Sequence, residues 1–278
     1  TYPTVGLPFA VHFFSPQTGK NGDGWKYQYR ATTIRGFQQV HQCSPWMNDY
    51  AVFSLMPGIG ELRVDEDARA LPFSHDRETG KPHYYAVTFD NGIKTELSPT
   101  ERGAHMRFSF PAKQSAFLVL DGYTKDSEVT ILPAERKIIG WVNNGRFVPG
   151  NFRNYFVLVF DQPFVRYGTW ENEHNATQPG NDRASGKGVG AFIEFRPGTT
   201  VQVKVASSYI SPEQAERNYR QELAADRRFE DTRDRAFEVW NRQLNRIQVE
   251  GGTEADKATF YSCLFRANLF SRKFYERD

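Results

Sequence analysis

The chain has 278 residues, enough for one large domain or two small ones, and its net charge of +2 implies no polyanionic partner. It has no Lys/Arg run typical of nucleic-acid binding and no apolar run of about 18 residues that would indicate a membrane span. Aromatic residues make up 15% of the chain, which suits a β-rich core and also supplies rings that can stack on sugars.

The chain begins at Thr1 without Met or a recognisable signal peptide, so we expect either a processed leader or a partial sequence. Its two cysteines, Cys43 and Cys263, are too few and too far apart for a disulfide framework or a zinc site. We expect both to be free thiols that act as small, buried apolar groups.

Residues 1 to about 208 alternate apolar and polar side chains in short runs, as β-strands do. Turn signals such as Asp90-Asn91-Gly92 and Pro197-Gly198 separate the runs, and no helical pattern lies between them. The pattern predicts an antiparallel β-sandwich and not a βαβ fold. The predicted strands include residues 25–29, 85–89, 106–110, 116–120, 155–160, 191–195 and 201–205.

Two segments depart from this alternation. Residues 171–190 are polar, contain four glycines and lack apolar periodicity, so we predict a long loop. At Ser211 the pattern becomes helical, with a capping residue followed by Pro212 at the first helical position. We predict a charged helical stretch that continues to about Leu244.

A further helix is predicted over residues 253–270, after the break at Gly251-Gly252. Its apolar residues fall on one face, as expected for a helix that packs against a partner. These residues are Phe260, Leu264, Ala267 and Phe270.

The segment from residue 34 to residue 50 (IRGFQQVHQCSPWMNDY) concentrates guanidinium, imidazole, indole and carboxylate groups around Gly36 and a Ser44-Pro45 turn. Such a mixture suits a ligand with many hydroxyl groups and one apolar face, as a sugar has. The candidate substrate-binding residues are Arg35, Gly36, His41, Trp46 and Asp49.

Most of these residues also have a structural interpretation, and the sequence leaves both open. Trp46 can stack on a sugar or fill the edge of a core. Arg35 can donate to hydroxyls or form a salt bridge, and His41 can contact a ligand or serve as a structural histidine. Asp49 can accept from a pair of hydroxyls or cap its own turn.

Long motifs occur in order along the whole chain. They are residues 1–19 (TYPTVGLPFAVHFFSPQTG), 21–29 (NGDGWKYQY), 72–75 (PFSH), 99–102 (PTER), 136–140 (RKIIG), 206–216 (ASSYISPEQAE) and 249–276 (VEGGT through FYSCLFRANLFSRKFYE). With the 34–50 segment, they resemble glycoside hydrolase family 92, the calcium-dependent exo-α-mannosidases. One departure is Ser271, where the family pattern has Pro.

The resemblance implies a mainly β fold. We expect a large antiparallel β-sandwich of the galactose-mutarotase-like supersandwich type, then linker helices and the start of an (α/α)6 barrel. The expected boundaries are residues 1–208 for the sandwich, 209–250 for the linker helices and 251–278 for the first part of the catalytic barrel. The chain would then hold only the first barrel helix.

The resemblance also implies a function. The full-length protein would be an exo-acting α-mannosidase that hydrolyses linkages of N-glycans or mannans by an inverting, calcium-assisted mechanism, with the β domain shaping the substrate cleft. The implied partners are a mannose-containing glycan and a C-terminal catalytic domain outside this chain. The implied location is periplasmic or secreted, in a bacterium.

Catalytic groups are not recognisable in the chain itself. Inverting glycosidases need an acid and a base whose carboxyl groups lie roughly 6.5–9.5 Å apart, and no residue pair in the sequence is a convincing candidate. Residues 61–67 form an acidic cluster that we expect to be solvated, and Asp121-Gly122-Tyr123 is expected to be a structural turn. In the family, the acid, the base and the calcium ligands belong to the barrel, so we assign no catalytic residue or metal ligand here and expect the isolated chain to be inactive.

Two other functions fit the same residues. One is a free-standing, non-catalytic carbohydrate-binding β-sandwich module. The other is a structural β-sandwich of a surface assembly. The apolar stripe of the last helix favours the enzyme, because an independent module has no need of it.

Overall fold

The computed structural model describes residues 3–23, 26–41, 50–145, 148–226, 228–270 and 272–276. Within these ranges the chain forms two antiparallel sheets followed by three α-helices. The predicted antiparallel sandwich with helices after it is confirmed. Among the described helices, none is long and apolar enough to cross a membrane.

The first sheet contains seven strands in the described part of the chain. In spatial order they are β1 (Phe13–Gln17), β3 (Gly36–Val40), β4 (Ser54–Ile59), β9 (Ala116–Asp121), β16 (Val189–Phe195), β13 (Arg166–Glu171) and β14 (Ala176–Pro179). The second sheet contains ten described strands. Their order is β15 (Arg183–Lys187), β10 (Asp126–Leu132), β11 (Lys137–Val142), β12 (Asn154–Phe160), β17 (Thr200–Ser208), β8 (Gly103–Ser109), β7 (Lys94–Pro99), β6 (Tyr84–Phe89), β5 (Leu71–Lys81) and β2 (Thr33–Ile34).

The main core lies between the two sheets. Alternate apolar side chains from both sheets, such as Leu118 and Ile193 of the first and Met106, Leu158 and Val203 of the second, form one buried cluster. Period-2 alternation therefore predicted these strands correctly, because it records which face of each strand meets the other sheet.

A strand was predicted for residues 25–29, and the prediction was wrong for residues 26–29, while Trp25 lies outside the described residues. The backbone of Lys26 and Gln28 bonds to Thr18 instead of to a neighbouring strand, and Ala31 N donates to Gln28 O in a turn. The alternating tyrosines, Tyr27 and Tyr29, therefore belong to an irregular segment.

The loop predicted for residues 171–190 was also wrong, because β14 and β15 lie within it. Each of these strands is at the edge of its sheet, and all of β14 and most of β15 are exposed. A strand with little buried surface needs no apolar alternation, so its sequence resembles a loop.

The three helices are α1 (Pro212–Glu222), α2 (Phe229–Leu244) and α3 (Glu254–Ala267). Ser211 Oγ accepts from Gln214 N at 3.1 Å, as the sequence predicted for the start of α1. The single stretch predicted to Leu244 is instead two helices, because α1 ends at Glu222 and α2 begins only at Phe229.

Helices α1 and α2 cover the outer face of the second sheet. Leu223, just after α1, packs with Val157 and Ala206. On α2, Thr232 Oγ1 lies 2.9 Å from His105 Nδ1, and Glu230 forms an ion pair of 2.7 Å with Arg107. Both elements thereby take fixed positions on the sandwich.

Helix α3 is slightly shorter than predicted and begins after the capping residue Thr253, whose hydroxyl accepts from Asp256 N. Cys263 on this helix is exposed, so the prediction of a buried thiol was wrong at that position. The helix packs through Phe265, whose ring centroid lies 4.9 Å from that of Trp240. The predicted apolar face is only partly covered, because Ala267 and Phe270 are exposed like the Cys263 thiol. Cys43 lies outside the described residues.

Candidate functional site

Aromatic side chains gather at one end of the sandwich, where β3 and β17 end and β1 begins. We call the rings of His12, His41, Tyr50, Phe152, Tyr209 and Phe274 the mouth cluster. The ring centroids of His12 and His41 are 4.7 Å apart, and Tyr209 lies 5.3 Å from His12 and 5.1 Å from His41. Phe152 lies 5.1 Å from Tyr209, so the rings form a continuous group.

The outer part of the mouth cluster is open to solvent. The Phe274 ring is 64% exposed and its centroid lies 6.4 Å from that of Tyr50. The Arg272 guanidinium carbon lies 5.9 Å from the Tyr50 ring and 4.8 Å from the Phe274 ring. An exposed ring beside a cation provides both an apolar surface and hydrogen-bond donors, a combination that suits a sugar.

His12 forms the buried base of the cluster. Burial lowers the pKa of His12 well below its usual value, and the nearby His41, Arg102 and Arg272 lower it further. The imidazole is therefore neutral at neutral pH, and the positive charge of the site comes from the arginines.

A network of hydrogen bonds between polar side chains lies beside the mouth cluster, between the two sheets. Asn154 Nδ2 donates to Gln39 Oε1 at 2.8 Å and to Ala51 O at 2.7 Å, and Gln39 Nε2 donates to Ser207 Oγ at 2.9 Å. Asn144 Oδ1 accepts from Val52 N at 2.9 Å. These bonds fix the backbone that follows Tyr50.

The two ends of the candidate segment converge on the mouth cluster. His41 precedes residues 42–49 and Tyr50 follows them, and their ring centroids are 6.3 Å apart. Trp46 and Asp49 lie outside the described residues, so their sugar-binding roles stay predictions. His41 lies in the mouth cluster, as a sugar-contacting residue would, but is itself buried.

The structure does not bring Arg35 and Gly36 together with His41. Arg35 lies just before β3 and His41 just after it, about 20 Å apart at the usual rise of a strand. Arg35 Nη2 pairs with Asp67 Oδ1 at 3.2 Å, and Arg35 O accepts from Arg69 Nε at 2.9 Å. These contacts match the salt-bridge interpretation of Arg35, and its role toward a sugar stays a prediction.

Gly36 is needed for close packing. A Cβ atom at this position would lie 2.9 Å from Ser54 Oγ and 3.1 Å from Gln17 Oε1, closer than side chains normally approach. The neighbouring strands β1 and β4 therefore require glycine here, whatever else this residue does.

A second polar cluster covers the outer face of the first sheet, at the Arg35 end. Glu66 Oε1 accepts from Gln17 Nε2 at 2.7 Å and from Asn21 N at 3.1 Å. Burial raises the pKa of Glu66, and the neighbouring Asp121 raises it further. The prediction that this acidic stretch is solvated was therefore wrong for Glu66, which is held inside a hydrogen-bonded network.

The described residues offer no calcium site. In the described part of the chain, no group of three or more His, Cys, Asp or Glu side chains could hold a metal ion. Asp121, deeply buried near Glu66, is paired with Arg69. The Asp121 carboxylate is therefore neutralised by an arginine and does not fit a calcium site.

Comparison with known families decides the identity of the chain. Residues 1–208 match the model of the glycosyl hydrolase family 92 N-terminal domain, and residues 214–278 match that of the glycosyl hydrolase family 92 catalytic domain. The chain belongs to glycosyl hydrolase family 92.

Solved structures agree with this family. The chain is 43% identical to a family GH92 inverting mannosidase from Bacteroides thetaiotaomicron, with a TM-score of 0.96 over 100% of this chain and 38% of the other. It shares the fold of a second family GH92 α-mannosidase from that organism, solved with mannoimidazole, at 24% identity and a TM-score of 0.85. That match covers 100% of this chain and 40% of the other.

A curated protein is also similar to this chain. An uncharacterized secreted glycosidase of Arthroderma benhamiae is 22% identical, over 96% of this chain and 39% of its own length. The family 92 chain described here thus spans about two fifths of the relatives that it matches.

Sequence reasoning did not single out His12, Tyr209 or Arg272 as site residues. All three lie within stretches that resemble the family, residues 1–19, 206–216 and 249–276. The available signal was the presence of aromatic and basic residues in separate family motifs, but only the fold shows that these motifs meet at one end of the sandwich.

Proposed function

We propose that this chain is the N-terminal portion of an exo-acting α-mannosidase. In this proposal, residues 1–208 form the β domain, 209–250 the linker helices and 251–278 the start of the (α/α)6 catalytic barrel. The observation that carries the proposal is the 43% identity to an inverting mannosidase along the entire chain.

The β domain shapes one wall of the substrate cleft, and the mouth cluster lies where that wall meets residues 272–276 at the start of the barrel. Its exposed ring, Phe274, and the guanidinium of Arg272 stand where the family motifs 1–19, 206–216 and 249–276 converge. A terminal mannose has an apolar C–H face that can lie on such rings and hydroxyls that can accept from arginine. Arg35, Gly36, His41, Trp46 and Asp49 stay proposed substrate-binding residues.

The proposed reaction is hydrolysis of α-mannosidic linkages in N-glycans or mannans with inversion of configuration. Such a reaction needs two carboxyl groups roughly 6.5–9.5 Å apart, with a water between the base and the sugar. The barrel of the full-length enzyme supplies the acid, the base and the calcium site in this proposal. The proposed location is secreted or periplasmic, in agreement with the secreted fungal relative.

A non-catalytic carbohydrate-binding module is the alternative. The match of residues 214–278 to a catalytic-domain model favours the enzyme. The two functions differ in turnover, because a module binds mannosides without hydrolysing them.

The test is hydrolysis of an aryl α-mannoside by the purified full-length protein, with calcium and after dialysis against a chelator. The proposal predicts turnover with calcium, a large loss after chelation and recovery when calcium is restored. Binding of the mannoside without turnover would favour the alternative, and turnover that survives chelation would contradict the calcium-assisted mechanism.

A further inference from the structure

We propose that Arg102 is a positioning residue of the candidate site. It holds residues 272–276 against the sandwich and thereby fixes the positions of the Arg272 and Phe274 side chains beside the Tyr50 ring. The role in catalysis rests on the proposed function, whereas the structural link can be tested without it.

Arg102 lies in the turn between β7 and β8, and its side chain is only 1% exposed. Its guanidinium is surrounded by acceptors from three separate parts of the chain. Nη1 donates to Glu222 Oε1 at 3.0 Å at the end of α1, and Nε donates to Glu276 Oε2 at 3.1 Å. Nη2 donates to Tyr275 O at 2.9 Å and lies 3.2 Å from Glu101 Oε1.

The partner Glu276 connects this arginine to the mouth cluster. Glu276 Oε2 also accepts from Asn218 Nδ2 of α1 at 2.8 Å, and Glu276 Oε1 accepts from the backbone N of Tyr209 at 3.4 Å. The Tyr209 ring is a member of the mouth cluster. Arg102, Glu276 and Tyr209 therefore form one continuous path from the β7–β8 turn to the site.

The beginning of the 272–276 segment is fixed as well. Lys273 N donates to Phe9 O at 3.1 Å, and Lys273 Nζ lies 3.2 Å from Glu101 Oε1. Phe274 lies between this anchor and the Tyr275–Glu276 anchor, with its ring toward Tyr50 and solvent. Holding both sides of Phe274 determines where its ring stands.

The position of residues 272–276 depends on Arg102 because of the negative charges around its guanidinium. Three carboxylates, Glu101, Glu222 and Glu276, lie around its guanidinium. Without Arg102, these carboxylates would face one another in a largely water-excluded place, where an uncompensated charge is costly. The simplest relief is for residues 272–276, which carry Glu276, to move away from the sandwich.

Displacement of Arg272 and Phe274 should affect catalysis more than stability. A shift of about 1 Å in groups that position a substrate can cost about a hundredfold in rate. The rival interpretation is that Arg102 only stabilises the fold. Arg107 is a matched control for that rival, since it lies on β8 and pairs with Glu96 and with Glu230 of α2 but not with residues 272–276.

The experiment compares Arg102→Gln, Arg102→Lys and Arg107→Gln in the full-length protein. Hydrogen–deuterium exchange is measured in peptides that cover residues 272–276, and kcat and KM are measured on an aryl α-mannoside well below each melting temperature. We expect Arg102→Gln to raise exchange in 272–276 by about tenfold or more and to lower kcat/KM by about tenfold or more. Arg102→Lys should recover part of both, and Arg107→Gln should change neither by more than about twofold.

Unchanged exchange in residues 272–276 of Arg102→Gln would overturn the proposal, as would an equal effect of Arg107→Gln. If Arg102→Gln does not fold, Glu276→Gln is measured in its place and should show faster exchange in residues 272–276. Unchanged exchange in Glu276→Gln would also overturn the proposal. If the wild-type protein hydrolyses no mannoside, the proposed function fails, while the exchange data still decide whether Arg102 holds the segment.

Discussion

Arg69 and Asp121 form a buried ion pair on the outer face of the seven-stranded sheet, with 2.6 Å between Arg69 Nη2 and Asp121 Oδ2. The two side chains are only 2% and 1% exposed. Arg69 also donates to the carbonyls of Arg35 and Val64, at 2.9 and 2.8 Å, so it joins the residue before β3 to the 60–70 segment that covers the sheet.

We predict that Arg69→Gln lowers the free energy of unfolding by about 3–5 kcal/mol, because the buried Asp121 loses its counter-charge. The matched control is Arg166→Gln, which breaks the ion pair between Glu194 and an arginine that is 53% exposed. That change should cost no more than about 1 kcal/mol. Urea unfolding measures both values, and equal losses would contradict the account of the buried pair.

His105 should make stability depend on pH. Burial, together with the charge of Lys204, lowers the pKa of His105 from 6.5 to about 4. As the pH falls from 6.5 toward 4, the imidazole becomes protonated in the unfolded chain but stays neutral in the folded chain. The free energy of unfolding is therefore highest above pH 6.5 and declines as the pH falls through this range. The lowered pKa of His105 contributes about 3 kcal/mol to the free energy of unfolding at neutral pH.

His105→Asn should therefore reduce the decline in unfolding free energy between pH 6.5 and pH 4. Asparagine can still donate to Thr232, so the packing of α2 on β8 is retained in part. The control is His174→Asn, at a histidine whose side chain is 70% exposed. If the variant at His105 keeps the full wild-type pH dependence, the buried imidazole is not its source.

Gly36→Ala should destabilise the protein by about 1–3 kcal/mol, since the added methyl group would press on Ser54 and Gln17. The double variant Gly36→Ala, Ser54→Gly removes the nearest contacts and should recover part of the loss. Melting temperatures of the single and double variants provide the test. A Gly36→Ala protein that is as stable as wild type but loses activity would instead point to a direct role toward the sugar.

The 34–50 segment can be tested through Trp46 and Arg35 in the full-length enzyme. Trp46→Ala should lower kcat/KM about fivefold or more, the loss of a stacking ring worth about 1 kcal/mol. Arg35→Ala should cost about 1.5–3 kcal/mol in the same quantity if its guanidinium donates to sugar hydroxyls. Both variants should keep the wild-type melting temperature.

Asp67→Asn is the control for Arg35, because it breaks the observed ion pair and leaves the guanidinium in place. If Asp67→Asn reproduces the effect of Arg35→Ala, the arginine acts as a structural residue. If Trp46→Ala and Arg35→Ala both melt lower and keep kcat/KM, the sugar-binding interpretation of the segment is wrong.

The sandwich could be predicted from the sequence because its strands meet another layer on one face. The alternation at residues 155–160 records that Phe156, Leu158 and Phe160 enter the core. The same rule failed for residues 176–179 and 183–187, which form edge strands with little buried surface. It also failed at residues 26–29, where alternating tyrosines occur without a neighbouring strand.

The site was less predictable than the fold. Contiguity in the sequence suggested that Arg35 and His41 act together, but an intervening strand separates them. The mouth cluster instead joins His12, His41 and Tyr209, which are far apart in the sequence and meet because β1, β3 and β17 place them at one end of the sandwich. Likewise, the sequence around Arg102 gives no sign that Glu222 and Glu276, more than a hundred residues away, lie beside its guanidinium.

Inversion of configuration by the full-length protein is the most specific part of the proposed mannosidase activity. The most direct measurement is proton NMR of the anomeric signals during the first minutes of α-mannobiose hydrolysis, before the released sugar mutarotates. We expect β-mannose to appear first and the α-anomer only later. Release of α-mannose as the first product, or no release of mannose from any α-mannobiose, would contradict it.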